Sequence, residues 1–199
     1  MSAPAALGSW TLDDQLAASR RGLDALTGEL DRLRRWGTQL RQRLEQSGRL
    51  LVAGNGGSAT LAHHLAGELV GRFDRERPPF SALALSAEPA AVTAIGNDYG
   101  FDEVFARQVR ALAVRGDVVL GLSTSGNSEN VLRGFAAAAE AGAFRIALGG
   151  RDGGRMAREC DLALIVPAAD TARIQEAHIT ILHAMCDTIE TGLADDGAR

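Results

Sequence analysis

Leu50-Leu51-Val52-Ala53-Gly54-Asn55-Gly56-Gly57-Ser58 changes character twice within nine residues. Four apolar residues in a row read as a strand buried on both faces of a parallel sheet. Three glycines and an asparagine then break the run, and from Ala59 to Phe73 the pattern is helical. Glycines at such a turn let the backbone approach a ligand closely, and the helix start offers unpaired N–H groups to an anion. Ser58 is expected at or near the N-cap, where its hydroxyl serves the helix or the ligand. Further along the helix, His64 and Glu68 are four apart and share a face. One segment thus offers an anion cradle and an acid–base or metal-binding pair.

Four more apolar runs follow at even spacing: Ala82 to Leu85, Val118 to Leu122, Arg145 to Leu148 and Leu162 to Val166. Helical patterns separate them, over Ala59 to Phe73, Phe101 to Arg115 and Glu129 to Ala141, with a short one near Gly154 to Glu159. Alternating strands and helices predict right-handed βαβ units and a parallel sheet covered on both faces, an α/β fold of three layers. A closing helix is expected from Arg173 to about Leu193, with Ile174, Ile181, Met185 and Ile189 facing inward. Ahead of the first strand, Thr11 with Asp13 and Asp14 opens a long amphipathic helix after a frayed Met1 to Trp10. Leu16, Leu23 and Leu30 form one row on it, and Leu26, Leu33 and Leu40 a second, with an interruption expected at Gly37 and Thr38 as a new cap. So long a stripe needs a partner surface, on its own subunit and on a neighbouring one. The reading is a single domain over 1–199, with 11–47 as a helical segment packed on the domain and at subunit interfaces.

Ligands of open parallel sheets bind beyond the carboxyl ends of the strands. The third strand is followed there by Ser123-Thr124-Ser125-Gly126-Asn127-Ser128 and then a helix, a second anion site built from hydroxyls. Gly96-Asn97-Asp98-Tyr99-Gly100 reads as a turn. Its Asn and Asp either bond sugar hydroxyls or cap the helix starting near Asp102. Gln175 and His183 are eight residues apart on the closing helix, about 12 Å along its axis. They grip one ligand only by converging, or if the first turn is loosened. His178 lies on another side and, with His63, reads as a packing or surface residue.

Composition narrows the chemistry. The chain has no lysine, so all 21 basic residues are arginine. This excludes Schiff-base chemistry and a P-loop lysine. A net charge of −4, with arginines interleaved among acids, argues against a nucleic-acid partner. Cys160 and Cys186 are too few and too far apart for a disulfide framework, and read as reduced thiols of a cytoplasmic protein. Neither a secretory leader nor an apolar run of membrane-spanning length is expected.

Taken together, A-G-N-G-G-S at Ala53 to Ser58, H-x-x-x-E at His64 to Glu68, A-I-G-N-D-Y-G at Ala94 to Gly100, S-T-S-G-N-S at Ser123 to Ser128 and R-I-Q-E-x-H-x-x-x-x-H at Arg173 to His183 resemble the sugar isomerase (SIS) domain family. Within it, the resemblance is to the sedoheptulose 7-phosphate, or phosphoheptose, isomerases. It implies a five-stranded parallel sheet between helices and a homotetramer with active sites at subunit interfaces. It implies phosphate binding by Ser123, Thr124, Ser125 and Ser128 with Ser58 nearby, and sugar contacts from Asn55, Gly56, Gly57, Asn97, Asp98 and Gln175. The implied acid–base pair is Glu68 and His183. Members that bind zinc imply one ion per subunit on His64, Glu68, Gln175 and His183. The chain departs from the pattern at Leu61, commonly aspartate, and at His63. The alternative is a non-catalytic SIS protein that binds a replication initiator or senses a sugar phosphate. Such an initiator-binding protein shares both Ser/Gly loops but lacks the pair that stands here as Glu68 and His183.

Overall fold

The computed structural model describes residues 11–46 and 48–197, with side chains as far as Gly192. The expected frayed end, Met1 to Trp10, lies outside the described residues, as does Ser47. Five strands form one parallel sheet: β1 (Leu50–Gly54), β2 (Ala82–Ala84), β3 (Val118–Ser123), β4 (Phe144–Gly150) and β5 (Leu162–Val166), in the order β2-β1-β3-β4-β5. Leu50 pairs with Val118 and Gly54 with Leu122, so β1 and β3 end side by side.

Alternation along each strand divides the core in two. Leu50 and Val52, with Val118, Leu120, Leu122, Ile146 and Leu148, face one layer. That layer contains α2 (Leu30–Glu45), α3 (Gly57–Val70) and α7 (Thr171–Gly197). Leu51, Ala53, Val119 and Ala147 face the other, which contains α5 (Val104–Leu112) and α6 (Glu129–Ala141). The expected three-layer αβα sandwich is therefore present. Ile174, Ile181, Met185 and Ile189 of α7 are all fully buried.

The N-terminal segment starts as expected. Thr11 caps α1 (Leu12–Asp24) in a capping box with Asp14. The break falls elsewhere than Gly37: a 3₁₀ stretch over Ala25–Glu29 separates α1 from α2. Gly37 lies inside α2, where a Cβ would come within 2.6 Å of the Thr188 side chain on α7. Its role is close helix packing, and Thr38 donates its hydroxyl to the Arg34 carbonyl instead of capping. The two leucine rows part company. Leu26, Leu33 and Leu40 are buried against the domain, whereas Leu16, Leu23 and Leu30 are 48%, 39% and 50% exposed.

Two further expectations are corrected. Gly96 to Tyr99 is the last turn of a helix, α4 (Pro89–Tyr99), and only Gly100, at φ +90°, is a turn residue. Pro89 in the first turn and the Glu88 carboxylate accepting from Ala90 N–H start that helix. The stretch near Gly154 to Glu159 is a series of turns, with Gly153 and Gly154 both at positive φ, where a continued right-handed helix cannot form.

Candidate active site

From β1 the chain moves to β2 on one side, and from β3 to β4 on the other. The crevice of an open sheet lies at such a reversal, beyond the carboxyl ends of the strands. Both Ser/Gly loops meet here, around a cavity of about 310 Å³ lined by Asn55, Gly56, Gly57, Ser58, Ser123, Thr124, Ser128, Thr171 and Gln175.

Local chemistry explains the shape. Gly56 caps α3 at φ +52°, which only glycine adopts cheaply. Ser58 is therefore one residue inside the helix, with its N–H on the Asn55 carbonyl. Gln175, from the first turn of α7, lies so close to Gly57 that a Cβ there would come within 2.5 Å of its amide nitrogen. Ser128 holds the N-cap position of α6, yet its side chain makes no cap bond. Its hydroxyl pairs with that of Ser123 at 2.9 Å, and Ser123 also accepts from Gly126 N–H. Ser125 accepts from Asn127 N–H and stands 3.4 Å from Ser123. The two loops are tied by a reciprocal amide pair, Asn55 with Asn130, with both bonds at 2.9 Å. Among the described residues no arginine lines the cavity. An anion held there would meet hydroxyls, backbone N–H groups and two helix N-termini.

A second group of side chains lies further along the same two helices. Ser58 and His64 are six residues apart, about 9 Å along α3, and Glu68 is about 15 Å on. The His64 and His183 Nε2 atoms stand 2.9 Å apart, and Glu68 Oε1 is 3.4 Å from His64 Nε2. The rings of His64 and His183 meet edge to face, and the Phe73 ring packs on His183 at 5.3 Å. Glu68 and His64 are partly exposed and so open to a ligand.

The structure thus places His64, Glu68 and His183 together. Gln175 falls with the cradle instead, two turns from His183. Asn97 and Asp98 are exposed at the end of α4, hydrogen-bonded to each other, and do not line the cavity. His63 bonds the Ser86 hydroxyl, and Leu61 packs against the core. His178 is fully buried, with Nε2 on the Gly149 carbonyl. Burial holds its imidazole at about 4, and that bond only partly opposes the effect. Cys186 is buried, and burial, with Glu68 and Glu190 nearby, pushes its thiol up to about 12. Sequence reading missed Thr171, Asn130 and Phe73. Thr171 did carry a signal: it is a hydroxyl at the start of the helix after the fifth strand, on the same sheet edge as the two Ser/Gly loops. Asn130 and Phe73 carry no local signal.

Residues 16–150 match the family model described as SIS domain. Phosphoheptose isomerase from Helicobacter pylori (strain Shi470) is 55% identical over 76% of this chain and 79% of its own length. That from Geobacter sulfurreducens is 53% identical over 90% and 95%. The solved structure of phosphoheptose isomerase from Neisseria gonorrhoeae superposes with a TM-score of 0.84 at 45% identity, covering 91% of this chain and all of that one. The chain belongs to the SIS domain family, among the phosphoheptose isomerases. Solved structures at 14–18% identity, including the Vibrio vulnificus NanR protein complexed with ManNAc-6P, share the fold alone. Among the described residues no helix is long and apolar enough to cross a membrane.

Proposed function

We infer that the chain is an aldose–ketose isomerase that converts D-sedoheptulose 7-phosphate to D-glycero-D-manno-heptose 7-phosphate through an enediol, feeding the synthesis of nucleotide-activated heptose. The observation that carries this reading is the contact of Glu68 and His183 through His64, on two helices that begin in a cradle without cations. With its phosphate in the cradle, a seven-carbon chain at ~1.5 Å per bond spans on the order of 10 Å, enough to reach the level of His64, and the Glu68 carboxylate comes back to within 3.4 Å of that ring. Glu68 takes a proton from C1 and delivers one to C2, its carboxyl exchanging with solvent while the enediol exists. His183 delivers a proton to O2 and receives one from O1, so the enediol forms and collapses without net acid or base. Curated relatives named phosphoheptose isomerase support the substrate.

The zinc expectation concerns the same side chains. Among the described residues no three His, Cys, Asp or Glu side chains stand in finished metal-site geometry. The donor set nonetheless fits. The two Nε2 atoms stand 2.9 Å apart, and nitrogens ~2.1 Å from one tetrahedral ion stand about 3.4 Å apart, a modest opening. His64, His183 and Glu68 would hold the ion, one per subunit, with Glu68 either a ligand or the base but not both at once, and Gln175 would need to move to join them. Bound zinc supplies Lewis acidity toward the substrate carbonyl.

We also propose a homotetramer with shared active sites in the cytoplasm. The exposed row Leu16, Leu23, Leu30 supports the assembly, since each leucine buried contributes about 1.5–3 kcal/mol. Exposed Asn97 and Asp98 are available to a neighbour's cradle in such an assembly. The non-catalytic reading would keep the cradle but has no use for Glu68 and His183.

The test is incubation with sedoheptulose 7-phosphate, followed by proton NMR for an aldose anomeric signal. Aldose formation supports the reading. Phosphate-competed binding without aldose would favour a sugar-phosphate sensor.

A further inference from the structure

After α3 the chain runs through Phe73 to Arg77 without regular structure, yet this segment is firmly held. Glu190, on α7 two turns beyond His183, is buried beneath it. Its carboxylate accepts from the N–H groups of Phe73, Asp74 and Arg75 at 2.9, 2.9 and 2.8 Å and from Arg77 Nε at 3.0 Å. Burial alone raises a carboxyl, but the three amides and the Arg77 charge outweigh it and hold Glu190 below its usual value. The Arg77 guanidinium, almost wholly enclosed, donates in turn to the Glu68 and Leu69 carbonyls at 2.7 and 2.9 Å. One buried ion pair therefore ties the last turn of α3, which carries Glu68, to the helix that carries His183. It also fixes the backbone of Phe73, whose ring lies on His183 at 5.3 Å and 32°.

We propose that Phe73, anchored by Glu190 and Arg77, is a positioning residue that sets the His183 ring toward His64 and Glu68. Its face occupies one side of the imidazole, and His64 meets another side edge-on. The ring is left few orientations. A carboxylate that bonds three successive main-chain amides is a costly way to seat a loop unless the loop's position matters, because breaking such a pair leaves a buried charge unpaired. What the loop delivers to the site is the Phe73 ring. This inference deepens the isomerase reading and rests on it for the activity readout.

The test compares Phe73→Leu, Phe73→Tyr and Glu190→Gln with the parent. Phe73→Leu retains an apolar side chain at a partly buried position, so folding is expected to survive. Misplacing a reacting group by about 1 Å can lower the rate by about 100-fold. The expected result for Phe73→Leu is a kcat about 10–100-fold lower. Its KM for sedoheptulose 7-phosphate and its inhibition by inorganic phosphate should stay at parent values, because the cradle is untouched. Phe73→Tyr restores an aromatic face and should return kcat to within about 3-fold of the parent. Glu190→Gln turns one acceptor oxygen into a donor facing the loop amides, and should share the Phe73→Leu phenotype where it folds. Ring protons of His183, followed by NMR, should shift in Phe73→Leu through loss of the ring current, whether or not the enzyme is active. A kcat for folded Phe73→Leu equal to the parent's would overturn the proposal. So would a parallel loss of kcat, KM and phosphate inhibition that Phe73→Tyr fails to rescue, the mark of a general structural role. A parent that forms no aldose would instead sink the isomerase reading, and unchanged His183 resonances in Phe73→Leu would then still overturn the positional claim.

Discussion

The anion cradle is made of main chain and hydroxyls on two loops, whereas the reacting group is made of ionisable side chains on two helices. The cradle is closed on itself. Ser123 bonds Ser128, and Asn55 bonds Asn130. Helix starts border the cavity, and among the described residues no charged side chain lines it. Such a site suits a phosphate and offers no base for a C–H bond. The His64–Glu68–His183 group is the reverse, with proton-carrying atoms in contact and little that discriminates one sugar phosphate from another. Under the proposed function, binding and chemistry lie about two to three turns apart along α3 and α7, so substitutions should separate them.

The sharpest way to break this division is Glu68→Gln, which preserves size and removes the carboxylate. Turnover should fall by about 10²–10⁴-fold, the usual range for general acid–base catalysis. Phosphate inhibition measured in the same kinetic runs should be unaltered. A variant with parent turnover removes Glu68 from the mechanism.

Next comes the opposite end. Ser125→Ala with Ser128→Ala deletes two hydroxyls, one lining the cavity and one beside its lining residue Ser123, each expected to contribute about 1.5–3 kcal/mol if it bonds a charged phosphate. Both contact Ser123, so their effects should couple and not simply add. A rise in the dissociation constant equivalent to about 3 kcal/mol is expected by titration calorimetry, with competition by inorganic phosphate lost. Parent-like binding would move the phosphate to Gly54–Ser58 alone.

His178 belongs to neither end and serves as a control. Folded, it titrates at about 4, below the 6.5 of an exposed imidazole. Between those values the unfolded chain binds the extra proton, so the contribution of His178 to stability is full above pH 6.5 and is lost as pH drops toward 4. The loss comes to about 3 kcal/mol. Urea unfolding of the parent between pH 7 and 4 should show that slope, flattened in His178→Gln. Parent and variant losing stability equally would place the acid sensitivity elsewhere.

The smallest effect concerns the link between the cradle's loops. Asn130→Ala leaves the Asn55 amide without its partner and should weaken substrate binding by about 1 kcal/mol. Equilibrium binding checks it, and an unchanged kcat keeps the tie on the binding side.

How much was legible in the sequence depends on the range of each signal. The five strands and α6 carry their periodicity within a few residues, and the Ser/Gly loops announce themselves by composition. Gly96 to Tyr99 misleads because Gly, Asn and Asp favour turns, while the helix was started upstream by Glu88 and Pro89. Gly37 reads as a breaker when only local propensity is considered, but Thr188 on α7 demands it. The Glu190–Arg77 anchor joins residues 113 apart in the chain. A carboxylate on a helix and an arginine before two prolines reveal nothing of each other until the fold is closed. His64 and Glu68 share a face by spacing alone, but their meeting with His183 is a property of the packed helices.

The central claim is that Glu68 moves a proton between two carbons of a phosphorylated heptulose. Its most direct test is conversion of sedoheptulose 7-phosphate in deuterium oxide by the parent and by Glu68→Gln, read by NMR at C1 of the ketose and C2 of the aldose. The parent should give aldose carrying deuterium at C2, and Glu68→Gln should give neither aldose nor exchange at C1 while still binding phosphate. Deuterium entering at the parent rate in Glu68→Gln would contradict it.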